Sequence, residues 1–276
     1  MGSPQHINLG KVETEKPKQK RHTPSIVQPD TLFHFVTELE YLITGLKEQR
    51  IYPRYCSEDC RYLKLPRTRV IAFPMLCFCN IGLQKLEPHM KYYGYYGIAF
   101  PKDWCIAQRF QTIHYLNEGG YLAGDIREAF RYSQKALKAV GEDETLSDYL
   151  LHELMYYKPF EGKAVAKAGD GKKHSKCFTD ECEWRFIPRD VPNGMQRIVT
   201  DPWTINNFLK EYSDALRADP STSLPFSYDD LKYVIVRSRD DFSTLLEQIE
   251  KWDIGNVDRH KLLAKVLVWD EIKGDF

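Results

Sequence analysis

The spacing of apolar residues changes several times along the chain, and each change predicts an element. "TLFHFV" places Leu32, Phe33, Phe35 and Val36 in a short strand, and Leu39, Leu42, Ile43 and Leu46 follow at helical spacing with Thr37 as the expected N-cap. "FPMLCFCNIGL", Phe73–Leu83, is a continuous apolar run that predicts a buried strand leading into a helix around Leu83–Lys91. "YYGYYGIAF" predicts a second strand stopped by Pro101, and "PKDWCIAQRF" a helix with proline near its first turn. Amphipathic helices are expected over 121–140 and 146–156, separated by "GEDET". Met155–Val165 and "EWRFIP" read as strands, with the Gly- and Lys-rich "AKAGDGKKHSK" as a loop between them. The last third predicts helices near 202–218, 241–251 and 258–265, with strands at Tyr233–Val236 and "KVLVWD". Strands and helices alternate irregularly, without a βαβ repeat, which predicts the α+β class.

The first 29 residues break from this pattern. They are polar, almost free of periodic apolar positions, and hold five Lys/Arg against two Glu. They are expected to form a flexible basic tail, 1–29, ahead of a single domain over 30–276. Charge is otherwise balanced, 39 basic against 39 acidic residues, so overall charge selects no nucleic-acid partner. Seven cysteines, an odd number in a chain of 276 residues, favour reduced thiols over a disulfide framework. No run is long enough to span a membrane and no signal-peptide pattern opens the chain, so a cytoplasmic protein is expected. Cys56, Cys60, Cys77, Cys79, Cys177, Cys182, His89 and His174 lack tight C-x-x-C spacing, and no metal is expected. Phosphate-loop, dinucleotide-fingerprint, zinc-protease and nucleophile-elbow motifs are absent.

Candidate chemistry concentrates in "DECEWRF". In an extended chain Glu181, Glu183 and Arg185 would share one face, and Trp184 and Phe186 the other. Taken alone, two acids and an arginine on one face describe a solvent-facing edge. Two further segments change that weighting: His34 flanked by Phe33 and Phe35, and the tyrosine-rich "PHMKYYGYYGIAF" with Tyr92, Tyr93, Tyr95 and Tyr96 beside glycines. A tyrosine beside glycine is a platform for a flat heterocycle.

In order, "LFHFVTELEYLITGLKEQRIYPRY", "MLCFCNIGLQKLEPHMKYYGYYGIAF", "ECEWRFIP" and the closing "KYVIVRSRDDFSTLLEQI…KVLVWDEI" resemble the AbiGi-like abortive-infection family of phage-defence proteins. That family is in turn distantly similar to DarT-like ADP-ribosyltransferases, and the resemblance implies a split β-sheet core around an NAD+ cleft. It assigns the histidine slot to His34 and the glutamate slot to Glu183, with Glu181 as helper in an E-x-E arrangement. The aromatic slot is open among the four tyrosines, with Tyr93 and Tyr96 carried forward. Glu183 would stabilise an oxocarbenium-like centre as in glycoside cleavage, and Glu181 would orient the nucleophile. His34 and Thr37 would hold NAD+, the co-substrate, and Arg185 would keep both carboxylates ionised or meet the NAD+ phosphates. Lys172 and Lys173, in the loop before the strand, would meet the acceptor.

The implied activity is an NAD-dependent mono-ADP-ribosyltransferase toxin of a toxin–antitoxin system. The DarT-like resemblance, the basic tail and the lysine loop favour a nucleic-acid base, in RNA or DNA, over a protein side chain as acceptor. A cognate antitoxin would then be its partner. AbiGi-type proteins also carry an antitoxin label, so the competing expectation is a non-catalytic antitoxin or partner protein that keeps the fold.

Overall fold

The computed structural model describes residues 25, 27–66, 68–140 and 145–275, so most of the expected tail and residues 141–144 of the expected helix separator lie outside the described residues. Its strands are β1 (Thr31–Val36), β2 (Arg50–Ile51), β3 (Arg54–Asp59), β4 (Val70–Cys79), β5 (Tyr96–Pro101), β6 (Gln111–Thr112), β7 (His114–Leu116), β8 (Tyr157–Pro159), β9 (Glu161–Val165), β10 (Lys173–Cys177), β11 (Glu183–Phe186), β12 (Leu224–Pro225), β13 (Tyr233–Val236) and β14 (Val266–Val268). The principal sheet runs β14–β13–β5–β1–β4–β11–β6, with β3 also paired to β4. Its ladders are antiparallel except β13–β14. Three two-stranded pairs, β2–β12, β7–β8 and β9–β10, flank it. Mixed helices and sheets make this an α+β protein.

Register decides what each face carries. Phe33 lies opposite both Cys79 and Ala99, and Cys79 opposite Glu183, so these side chains share one face, here the first face. Phe33, Phe35, Cys79, Ala99 and Ile235 pack there against Leu86 and Met90 of the helix Leu86–Tyr93 and against Trp269. Further along β4 the same parity continues through Ile71, Phe73 and Met75. These pack on Ala123, Ile126 and Phe130 of the helix Tyr121–Val140 and on Leu150 and Leu154 of Thr145–Leu154. The second face carries Leu32, Phe78, Ile98, Phe100, Val234 and Val236, covered by Leu42, Ile43 and Leu46 of Leu39–Glu48 and by Leu245 and Ile249 of Arg239–Glu250. Consecutive apolar residues in β1, β4 and β13 therefore reflect a sheet buried on both sides.

Several expected boundaries move, each for a local reason. Thr37 is not the cap of Leu39–Glu48; Glu38 occupies that position without a side-chain cap bond. Tyr92 and Tyr93 end a helix rather than opening β5, because Gly94 reverses the chain at φ 121°. The Met155–Val165 strand divides at Phe160, whose N–H bonds the Leu116 carbonyl, so β8 runs beside β7 and β9 turns to meet β10. The last four residues of the expected glycine–lysine loop, 173–176, belong to that strand, β10. The 202–218 helix breaks at Phe208 into Pro202–Asn207, capped by Asp201, and Leu209–Ala218.

At Gly94 a Cβ would stand 1.8 Å from the Val36 carbonyl oxygen. Gly94→Ala therefore combines a steric clash with a conformation L-residues avoid, and is expected to lower stability by about 3 kcal/mol or more in urea unfolding. A loss below 1 kcal/mol, on the order of a surface change, would contradict this close approach.

Candidate functional site

Glu183 and Arg185 project from β11 to the first face, opposite Cys79 and Cys77. Glu181 reaches the same place by another route. It ends a short 3-10 turn, Phe178–Glu181, and Cys182 then adopts a left-handed φ of 43° before β11 begins. The expected strand alternation therefore does not bring the two acids together; the left-handed residue between them does.

Both carboxylates converge on one ammonium. Lys158 Nζ, from the middle of β8, donates to Glu181 at 2.6 Å and to Glu183 at 2.8 Å. Arg185 Nε donates to Glu183 at 2.7 Å, its Nη2 to Glu58 at 2.9 Å, and its Nη1 to the Met155 carbonyl. Lys176 of β10 forms an ion pair with Glu181, and its ammonium lies 4.1 and 4.2 Å from the ring centres of Tyr92 and Tyr93. The Tyr93 hydroxyl donates to Glu181, and the Tyr115 hydroxyl accepts the Glu183 N–H at 2.9 Å. Three carboxylates thus meet three cations, and the cluster is formally neutral.

This cluster fills the seam between the two apolar clusters of the first face. Arg185 is wholly buried, with Glu181 2% and Glu183 4% exposed, so the expected solvent-facing edge is instead interior. Low dielectric strengthens each pair and makes any unpaired member costly. Burial alone would raise the Glu183 carboxyl, but Arg185 and Lys158 hold it well below the usual carboxylate range. Glu181 is likewise lowered, burial being outweighed by Lys158 and Lys176 despite its repulsion from Glu183. Glu58 goes the other way: burial lifts it even though Arg185 is beside it. Lys158 remains charged because Glu183 and Glu181 overcome its desolvation. Nearby His89, 4.5 Å centre to centre from Tyr93, is pushed down to about 3 by burial and by Lys176, and is neutral.

The remaining expected site residues divide. Tyr93 is brought to the acids, and Arg185 is too, but its guanidinium is saturated by Glu183, Glu58 and a backbone carbonyl rather than open to a phosphate. His34 is not brought to them. It pairs with Ile98 and packs on Phe78 at 5.1 Å, which puts it on the second face while Glu183 occupies the first. Its Nδ1–H donates to the Cys77 carbonyl at 2.9 Å, and burial keeps the ring neutral against that bond's opposite pull. Tyr96 lies opposite Val36 on the same second face and donates to Asp241 at 3.2 Å, bracing the capping box of Arg239–Glu250. Thr37 sits in the bend after β1, next to Gly94. Lys172 and Lys173 are exposed at the tip of the β9–β10 hairpin, whereas Lys176, three residues beyond Lys173, points inward. The pleat thus separates His34 and Tyr96 from Glu181, Glu183, Arg185 and Tyr93.

Sequence reading passed over Lys158, Glu58 and Tyr115. Lys158 had a signal, a lone lysine inside the aromatic strand "MYYKPF"; Glu58, in the polar "RYCSEDCRY", had none. Among the described residues no group of three or more His, Cys, Asp or Glu could hold a metal ion, and no helix is long and apolar enough to cross a membrane.

Comparison with known proteins bears on what this geometry serves. Residues 49–237 match the sequence model of a family described as putative abortive phage resistance protein AbiGi, antitoxin. The chain belongs to the AbiGi family. The abortive phage resistance protein AbiGi of Lactococcus lactis subsp. cremoris is 28% identical over 245 residues, covering 81% of this chain and 98% of that protein. No solved structure matches the chain. The AbiGi match contains every member of the ionic cluster, from Glu58 to Arg185, together with Tyr93 and Tyr115, while His34 falls before it.

Proposed function

We propose that this AbiGi-family chain acts in abortive phage resistance as a non-catalytic antitoxin, countering a toxin partner of the same system. The observation that supports this most is the saturation of the acid pair. A carboxylate that stabilises an oxocarbenium-like centre must present a lone pair to an open cleft. Here Lys158 and Arg185 take the Glu183 oxygens, Lys158, Lys176 and Tyr93 take those of Glu181, and neither glutamate lines the groove beside Arg109 and Arg189 or the one beside Asp30 and Lys232. The antitoxin description of the family agrees with this reading.

An NAD-dependent ADP-ribosyltransferase activity is the second reading, favoured by one observation: Tyr93 meets Glu181 beside Glu183, an aromatic and two acids in one cluster. One set of strains separates the two. Co-expression with the toxin of its system is expected to restore growth, and lysate supplied with labelled NAD+ to show no transfer to RNA, DNA or protein. Tyr93→Phe, which removes only a hydroxyl, is expected to keep the rescue. Failure to restore growth, together with label transfer abolished in Glu183→Gln and Tyr93→Phe variants that remain folded, would overturn the antitoxin reading.

A further inference from the structure

Away from the ionic cluster, a groove of about 380 Å³ opens between the end of β11 and the segment leading into β12. It lies in the size range of small-ligand sites. Phe186, Ile187, Pro188, Leu224 and Pro225 give it an apolar lining, and Arg109 and Arg189 are exposed within it. Among the described residues neither guanidinium is held in an ion pair, although Asp190 also contributes to the lining. That contrasts with Arg185, Arg217 and Arg239, each of which is matched to a glutamate.

The walls are fixed in place. Arg109 follows the helix Lys102–Ala107 in a left-handed conformation, φ 66°, with its N–H bonded to the Ile106 carbonyl at 3.0 Å. On the facing wall Arg50 donates to Ser223 Oγ at 2.9 Å and to the Pro220 carbonyl at 3.3 Å, while β2 pairs with β12 through Ile51 and Leu224. A third guanidinium thus anchors the wall opposite the two uncommitted ones.

We propose that this groove is a binding site for a nucleoside phosphate, with Arg109 and Arg189 gripping the phosphate and the base lying on the apolar lining. Guanidinium forks match phosphate oxygens in pairs, which accounts for two arginines without carboxylate partners. An inorganic anion would use the arginines but not the half-buried Phe186 and Ile187 or the exposed Pro225 that line the groove beside them; a base fits such surfaces by stacking and apolar contact. The proposal goes beyond the antitoxin reading and does not depend on it.

Equilibrium dialysis of the full chain against labelled adenosine monophosphate tests the site, with adenosine, inorganic phosphate and a short single-stranded oligonucleotide as competitors. Saturable binding of the nucleotide is expected, with adenosine and phosphate each weaker by at least about tenfold. Arg109→Ala and Arg189→Ala should each weaken the nucleotide about tenfold at unchanged melting temperature, because both side chains are exposed, and Arg189→Lys should fall between. The proposal is overturned by absence of saturable nucleotide binding or by unchanged binding in the double alanine variant. It is also overturned if the oligonucleotide binds more tightly than the nucleotide, with a steep salt dependence, which would make the groove a nucleic-acid surface.

Discussion

Arg185→Met is expected to destabilise the protein by about 3–5 kcal/mol in urea unfolding, the usual cost of removing one partner from a buried ionic cluster. The arginine holds two acids at once, Glu183 at 2.7 Å and Glu58 at 2.9 Å, and also binds the Met155 carbonyl. Methionine fills part of the volume but leaves Glu58 without its ion-pair partner and Glu183 with Lys158 alone. Arg185→Lys keeps charge but loses the fork that reaches both acids, so it should recover only part of the loss. Adding Glu58→Gln to Arg185→Met should recover more, since it removes the stranded charge rather than restoring a pair. A loss below about 1 kcal/mol for Arg185→Met, the range of exposed pairs, would show that the cluster does not hold β11 to β3 and β4.

Lys158→Met should produce a second large effect, visible in its pH dependence. In the wild type, Glu181 and Glu183 titrate below the ordinary value of 4.5. Acids whose folded values are lowered contribute stability above their unfolded value and lose it as pH falls through the folded one. Glu58, raised by burial, works oppositely: its contribution is present in acid and declines as pH rises through its folded value. Two lowered acids against one raised give a melting temperature that holds near neutrality and drops once pH falls below about 4.5. Without Lys158, Glu181 and Glu183 repel across the space its ammonium occupied, so one of them must titrate higher. The acid transition is therefore expected to move toward neutral pH, and stability at pH 7 to fall by about 3–5 kcal/mol. Glu181→Gln placed on Lys158→Met should return part of both. Thermal melts across about pH 4 to 8 check this, and an acid transition unmoved by Lys158→Met would refute the shared ammonium.

The cluster also bears on how this AbiGi-family chain holds its shape. Lys158 ties β8, Lys176 ties the β9–β10 hairpin, and Arg185 ties β3 to the short strand β11 or to the turn that leads into it. β11 has four residues and pairs with β4 on one side and only a two-residue strand on the other. Ladder bonds alone give so short a strand little purchase. Charge pairing in a dry seam fixes its register and the segments above it, a positional role distinct from chemistry at the carboxylates.

Legibility followed the range of the interactions involved. β1, β4, β5, β11 and β13 were readable because local apolar runs and proline or glycine stops mark them, and a helix expected over 241–251 is found as Arg239–Glu250, whose capping box at Ser238 and Asp241 the structure adds. The α+β class follows from the irregular order of those elements. E-x-E-x-R stands out in the sequence as unusual, and the structure brings Tyr93 to its first glutamate. Its environment was not readable. Whether Glu183 faces water or core depends on Cys79, more than 100 residues earlier, and on Lys158, which no local pattern links to it. His34 failed to join for a similar reason. Its parity relative to Glu183 passes through the pairing of Phe33 with Cys79 and of Cys79 with Glu183, and a shift of one residue in either ladder would reverse the outcome.

By itself, then, the sequence determined which residue types were available and which segments would be strands or helices, because those follow from spacing over a few residues. It also carried the family membership, spread over residues 49–237. Only the tertiary structure decided that two acids and an arginine on a short strand would be enclosed by Lys158, Lys176 and Glu58, with His34 on the far side of the sheet. The physical reason is that a buried charge is tolerable only beside its opposite. The partners that satisfy it come from strands distant in sequence, whose register is set by the packing of both sheet faces.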